Sequence, residues 1–406
     1  MLDVNKIRND FPMLRDDSLI YLDNGATTFK PQVVIDAMNN YYNHYTSNAH
    51  RGDYSLALKV DQNYENVRNI VASFINCDKD EVVFTSGATY GLNLIAQGYA
   101  GKFLQKGDVI VTTYEEHASN ILPYFKLAKE KEIEIRYIDF DQNGRITVEN
   151  FQKVMDEKVK MVAISHVSNV LGYINPIKEI CQIAHKYNAV VAVDGAQSVP
   201  HIKVDVRDLD CDFLAFSAHK LCGPTSSGIM YGKKQLLDKM DPLLLGGDSN
   251  ARFYSDGSYV LKNPPYKFEA GTQNIEATIA MGAAINYLMD IKMENIMEYE
   301  HYLKSYLVEK MKKLDNIIMY NSQTDSGIVS FNVKSIFAQD VTSYLAKHNI
   351  CLRSGNHCAK LLVNYLNSSA TVRASLYFYN TVEEIDRFIE VLSSITLEKC
   401  IDSALF

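Results

Sequence analysis

From about residue 80 the chain alternates short apolar runs with amphipathic stretches. The runs at 81–85, 108–112, 133–138, 160–165, 189–194 and 212–217 are rich in Val, Ile and Phe and are predicted as strands. The stretches at 88–98, 118–131, 147–155 and 176–187 carry apolar residues at helical spacing. Strands that alternate with helices predict an α/β domain with a mostly parallel sheet covered on both faces. In such sheets ligands gather beyond the carboxyl ends of the strands, and the polar residues of this chain cluster there.

After about residue 290 the pattern changes. It predicts a long helix at 292–313, a strand at 327–333, a helix at 338–348, a strand pair at 350–353 and 372–376, and a final helix at 382–397. The expected division is a large domain over 20–290 and a smaller α+β domain made of 1–19 and 291–406. No Pro-rich or Gly-rich linker separates the two, and no internal repeat is visible.

The 406 residues are 47% apolar and 22% charged, which excludes disordered and fibrous classes. With 41 basic against 49 acidic residues, scattered along the chain, the net charge of -8 lacks the basic footprint of a nucleic-acid binder. There is no apolar run of about 18 residues to span a bilayer and no signal-peptide pattern at Met1 to Asp10, so no membrane partner is expected and the expected compartment is the cytosol. The seven cysteines include no CxxC pair, so neither a disulfide framework nor a metal site is expected.

Four segments carry candidate chemistry. Phe216 to Pro224 places Lys220 just after an apolar strand, where desolvation would free its amine to attack a carbonyl; a lysine in an exposed turn is the plain alternative. Asp194, at the end of 189–194, can hold a proton on a pyridine nitrogen or simply form the following turn. Thr85 to Gly91 runs from a strand into a helix and offers free N–H groups and a hydroxyl to a phosphate, or only a helix cap. His117, in Glu115 to Asn120, can lie flat on a ring, carry a proton or be structural.

A Schiff-base lysine, a pyridinium aspartate, a phosphate turn and a stacking histidine are the parts of a pyridoxal 5′-phosphate site. These segments resemble the class V aminotransferase group of fold-type I pyridoxal phosphate enzymes, and within it the SUF-type (group II) cysteine desulfurases. The blocks Tyr21 to Thr28, Asn48 to Gly52, His166 to Gly172, Phe268 to Thr272 and Arg373 to Ser375 follow that family's order. The resemblance implies Lys220 as the lysine bonded to the cofactor, Asp194 on the pyridine nitrogen, His117 stacked on the ring, and Asn169 and Gln197 near its hydroxyl. It also implies Ala88, Thr89, Ser217 and His219 at the phosphate, joined there by Thr272 of a second subunit, and hence a homodimer. Arg373 would grip the substrate carboxylate, with His50, Ala26, Arg353 and Asn169 as further substrate contacts.

In Leu352 to Ala359 a Cys follows a His, an arrangement that can raise the thiolate fraction. In the desulfurases this motif carries the cysteine that takes up sulfur, so the resemblance implies Cys358 in that role. The implied reaction converts L-cysteine to L-alanine, leaves a persulfide on Cys358, and hands the sulfur to an acceptor protein for iron–sulfur cluster assembly or other sulfur biosynthesis. Related activities are a selenocysteine lyase or a C–S lyase; a non-catalytic partner that keeps only the fold is a rival of another class. The chain departs from the family pattern at Asn356, at Lys360 and Leu361 where a Pro is usual nearby, at Gly246 to Ala251, and at Cys222, which reads as a packing residue.

Overall fold

The computed structural model describes residues 2–16 and 18–404. Among them the largest sheet has seven strands, in the order Val82–Thr85, Gly228–Gly232, Phe213–Ser217, Val190–Asp194, Val159–Ser165, Val109–Thr113 and Glu134–Ile138. All run parallel except Gly228–Gly232, which is antiparallel to both neighbours. The six predicted strands are present, and Gly228–Gly232 was not expected. Parallel pairing brings Thr85, Thr113, Ser165, Asp194 and Ser217 to one edge, with Ser165 opposite Asp194 and Asp194 opposite Ala215. Apolar side chains cover both faces in two separate clusters, as burial of a parallel sheet requires.

Helices fall close to the predicted stretches, at Ala88–Leu94, Ala118–Lys131, Val148–Lys153 and Ile177–Ala184. Others lie outside them, three of them long. Gln32–His44 and Ser55–Ile75 pack against Ile275–Ile291 on the large domain.

The smaller unit is an antiparallel sheet in the order Ile317–Met319, Ile328–Val333, Thr371–Ser375 and Arg353–Gly355, with its own apolar core. Here the expected strand pair is corrected. Ile350–Cys351 pairs in parallel with Ile20–Tyr21, and it is Arg353–Gly355 that pairs with Thr371–Ser375. The expected helix 382–397 ends at Ser393, and a separate helix begins at Leu397, because the serines and Thr396 of 393–396 favour backbone hydrogen bonds outside a helix.

Packing also departs from the expected division at the amino terminus. Ile7, Phe11 and Leu14 belong to the large domain's core, with the Phe11 ring 4.8 Å from that of Tyr379. Arg8 nonetheless bonds Glu384 of the smaller unit at 2.7 Å. The helix Met293–Met311 spans the boundary: Met293 and Ile296 pack on the large core, and Leu303, Leu307 and Met311 on the small one.

A buried ion pair fixes the segment that leads to Thr272. Arg68, 1% exposed, donates to both oxygens of Glu269 at 2.8 and 3.0 Å. Glu269 also accepts from the Phe84 N–H at 2.8 Å, tying this segment to the first strand of the sheet. Replacing Arg68 leaves a buried carboxylate without its counter-charge. Arg68→Met is therefore expected to lose about 3–5 kcal/mol in denaturant unfolding, whereas a loss below about 1 kcal/mol would place the pair in the class of weak surface bridges.

Candidate active site

The carboxyl edge of the large sheet opens onto a cavity of about 180 Å³. Its walls include Ala88, Thr89, His117, Asp194, Gln197, Ser217, His219 and Lys220 from the large domain, Asn169 and Ala26 beside them, and Arg353 and Arg373 from the smaller unit. Twelve of the residues named from sequence thus meet in one place.

The floor follows from the strand-to-helix turns. Gly87 has φ of 143°, and a Cβ there would come within 3.1 Å of Ser217 Oγ, so the turn can close only without a side chain. The closure lets the Ala88 N–H donate to Ser217 Oγ at 2.8 Å. Thr89 Oγ1 stands 2.8 Å from Ser119 Oγ, a hydroxyl the sequence reading passed over.

His117 caps the helix Ala118–Lys131: its Nδ1 accepts from the Ser119 N–H at 3.1 Å. Burial, and then the charges of Lys220, Arg353 and Arg373, push its pKa down to about 4. At neutral pH the ring is uncharged, and because Nδ1 is an acceptor the proton sits on Nε2. The preceding Glu116 is buried and braces this corner, accepting from Thr113 Oγ1 at 2.8 Å, the Ser165 N–H at 3.0 Å and Asn120 Nδ2 at 2.6 Å.

Asp194 Oδ1 accepts from the Ala196 N–H at 3.0 Å, and burial raises its pKa. Gln197 Nε2 donates to the Gly25 carbonyl at 2.7 Å, while its Oε1 is buried without a partner. Lys220 ends the short turn Ala218–Lys220. Burial, helped by Arg373 and Arg353 and opposed by Asp194 and Cys358, lowers its pKa to about 8. The amine is then half deprotonated near pH 8, far below an ordinary lysine, and the free form is the nucleophile.

Arg373 is 1% exposed and strongly anchored. Its Nη2 lies 3.1 Å from Asp23 Oδ1 and its Nη1 donates to the Asn169 carbonyl at 3.0 Å, leaving Nε unpaired. Asp23 is the counter-ion that sequence reasoning missed, although it stands inside the Tyr21 to Thr28 block.

The segment after Arg353 makes a tight turn. His357 and Cys358 both have positive φ, 50° and 57°, a conformation that costs a non-glycine residue about 1 kcal/mol or more. The turn is held from three sides. Asn169 Nδ2 donates to the His357 carbonyl at 2.7 Å, the Ala118 N–H donates to the Cys358 carbonyl at 2.7 Å, and His357 Nε2 lies 2.9 Å from Thr371 Oγ1.

This geometry corrects the expected help from His357. Its ring faces Thr371, and burial together with Arg373 and Arg353 pushes its pKa down to about 3, so it carries no positive charge to offer the thiol. The cation beside Cys358 is Arg353, with Nη2 3.9 Å from Sγ. Of the seven cysteines Cys358 is exposed, Cys77 and Cys351 are half-buried, and the other four are buried. Burial pushes the Cys222 thiol up to about 12, in keeping with packing. Lys360 is exposed.

Three residues named from sequence do not line the cavity within this chain: Cys358, which follows the lining residue His357, and Thr272 and His50. Thr272 and His50 line a separate cleft with Asn48 and Asp248. Asn48 Nδ2 approaches Thr272 Oγ1 at 3.5 Å, and His50 Nε2 stands 3.2 Å from Glu65.

The family model for class-V aminotransferases matches residues 20–388, and the chain belongs to that family. It is 43% identical to a probable cysteine desulfurase of Halalkalibacterium halodurans, over 95% of this chain and 96% of that one. Among solved structures it is similar to the apo form of a cysteine desulfurase from Thermococcus onnurineus (TM-score 0.93, 38% identity, 97% of this chain and 98% of that one). It is also similar to the cysteine desulfurase CsdA of Escherichia coli (TM-score 0.91, 31% identity, 99% of each chain). The residues present fit the family's cofactor, pyridoxal phosphate: a buried carboxylate for the ring nitrogen, an unpartnered amide oxygen for the ring hydroxyl, clustered hydroxyls and a helix start for the phosphate, and an amine of lowered pKa. Among the described residues no helix is long and apolar enough to cross a membrane.

An amine whose pKa is lowered reacts with aldehydes only when deprotonated, so the rate rises with pH through the folded-state pKa. Cofactor-stripped protein mixed with pyridoxal phosphate is expected to form the Schiff-base absorbance with a rate midpoint near pH 8; a midpoint near the ordinary lysine value of 10.5 would contradict the burial argument.

Proposed function

We propose that the chain is a pyridoxal phosphate-dependent cysteine desulfurase that moves sulfur from L-cysteine onto Cys358. The observation that carries this reading is the exposed Cys358 thiol beside Arg353, in a pinned turn whose His357, with Arg353, lines the cavity that holds Lys220. An aminotransferase needs no nucleophile at that place.

In this reading Arg373 binds the substrate carboxylate, using a fork already oriented by Asp23 and the Asn169 carbonyl. Lys220, with its amine free and uncharged, would take the Cα proton as a base. When bound, pyridoxal phosphate supplies an electron sink for the pair left at Cα. Asp194 would hold a proton on the cofactor's ring nitrogen, and His117, its Nε2–H available as a donor, would be the residue that faces the ring. Cys358, with Arg353 as the cation beside it, attacks the substrate sulfur through its thiolate. The S–S bond forms as the C–S bond breaks with its electron pair on Cβ. One thiol proton ends on Cβ and the proton held by Lys220 returns to Cα, which gives alanine and a persulfide on Cys358.

The placement of Thr272 and His50 away from the cavity of their own chain supports a homodimer in which each serves the other subunit's site. Exposure of Cys358 suits delivery of the sulfur to an acceptor protein in the cytosol, for iron–sulfur cluster assembly or another sulfur-using synthesis.

With L-cysteine, wild-type protein is expected to release alanine in an amount equal to persulfide plus sulfide, with the persulfide mapped by mass spectrometry to Cys358. Cys358→Ala should keep the cofactor absorbance and lose the protein persulfide. Arg373→Lys should lower kcat/KM by about 10- to 100-fold, the worth of a charged hydrogen bond. Persulfide formed equally well in Cys358→Ala would overturn the reading, and pyruvate with ammonia as products would make the chain a C–S lyase.

A further inference from the structure

The peptide carbonyl that leads into Lys220 meets more donors than its two lone pairs can serve equally. The His219 carbonyl accepts from the Thr28 N–H at 3.0 Å, Thr27 Oγ1 at 3.0 Å, Thr28 Oγ1 at 3.1 Å and Lys30 Nζ at 3.2 Å. On the other side of the turn the Cys222 N–H donates to Thr28 Oγ1 at 2.9 Å. The segment 27–30 therefore grips the Lys220 turn at both ends.

Lys30 is the unusual member. Its amine also donates to the Thr28 carbonyl and to Thr27 Oγ1 at 3.3 Å, so its hydrogen-bond partners are all neutral oxygens. Among the described residues it forms no ion pair with a carboxylate. Burial lowers its pKa to about 8. A half-buried ammonium with no counter-ion is costly to hold, and an ordinary packing residue would avoid that cost. Its charge also helps keep the neighbouring His219 imidazole neutral.

We propose that Lys30, with Thr27 and Thr28, forms a positioning collar on the His219 carbonyl that sets where the Lys220 amine stands in the cavity. Catalytic amines work only when held to within about 0.5 Å of the productive position, and a flexible four-carbon side chain depends on a fixed backbone to achieve it. The collar supplies that fixed point from outside the cavity. The inference rests on Lys220 being the lysine that bonds the cofactor, as proposed above.

The test follows Schiff-base absorbance in cofactor-stripped protein mixed with pyridoxal phosphate and, separately, with pyridoxal, followed by borohydride trapping and peptide mapping. Lys30→Met is expected to slow bond formation with both aldehydes about tenfold, and Lys30→Arg to recover most of the rate. Thr27→Val, a nearly isosteric loss of one neutral donor, is expected to slow it about threefold and carries the test if Lys30→Met does not fold. Unchanged rates with the label on Lys220 would overturn the collar alone. A loss confined to pyridoxal phosphate would also overturn it, since Lys30 would then act on the phosphate. Label on another lysine would overturn the reading of Lys220 and the collar together.

Discussion

One buried guanidinium organises the site. Arg373 comes from the smaller sheet, Asp23 from the segment that joins that sheet to the amino terminus, and the Asn169 carbonyl from the large domain; all three meet within 3.1 Å. A cation that is 1% exposed must be paired or leave the interior. Satisfying it therefore requires the two units to stand in one relative position. Gly25 is part of the same constraint, because a Cβ there would lie 3.1 Å from the Arg373 side chain.

The electrostatics of the cavity follow from that placement. Arg373, Arg353 and Lys220 bring positive charge to the cavity wall, where Asp194 is the lining carboxylate and Asp23 pairs with Arg373 from beside it. The groups that can lose a proton have their pKa values lowered. His117 and His219 are held neutral with pKa values near 4, and Lys220 near 8. The same field favours anions, which is what a phosphate, an amino-acid carboxylate and a thiolate have in common. An anionic cofactor group and an anionic substrate group would thus draw on one charge distribution.

Much of this was legible in the chain itself. The Val- and Ile-rich runs show their strands plainly because both faces are buried, and residues at strand ends fall at one edge once the sheet is parallel. Gly228–Gly232 was not legible, since it is bracketed by glycines and runs against its neighbours. The helix Ser55–Ile75 does carry a helical stripe through Val60, Tyr64, Val67 and Val71, but that stripe lies before the alternating region. Residues whose roles come from a partner across the fold were the hardest to see. Asp23 is defined by Arg373, 350 positions away, and Lys30 by the His219 carbonyl. His357 misled for the opposite reason: adjacency to Cys358 in sequence says nothing of where its ring turns, and Thr371 decides that.

The central claim is that sulfur leaves the substrate by moving to Cys358 and not as free sulfide. Its most direct test is a single turnover with sulfur-labelled L-cysteine, quenched before any acceptor is added. The account predicts alanine and labelled sulfur on Cys358 appearing together in equal amounts. Alanine formed at the same rate with the label released as sulfide, and none on Cys358, would contradict it.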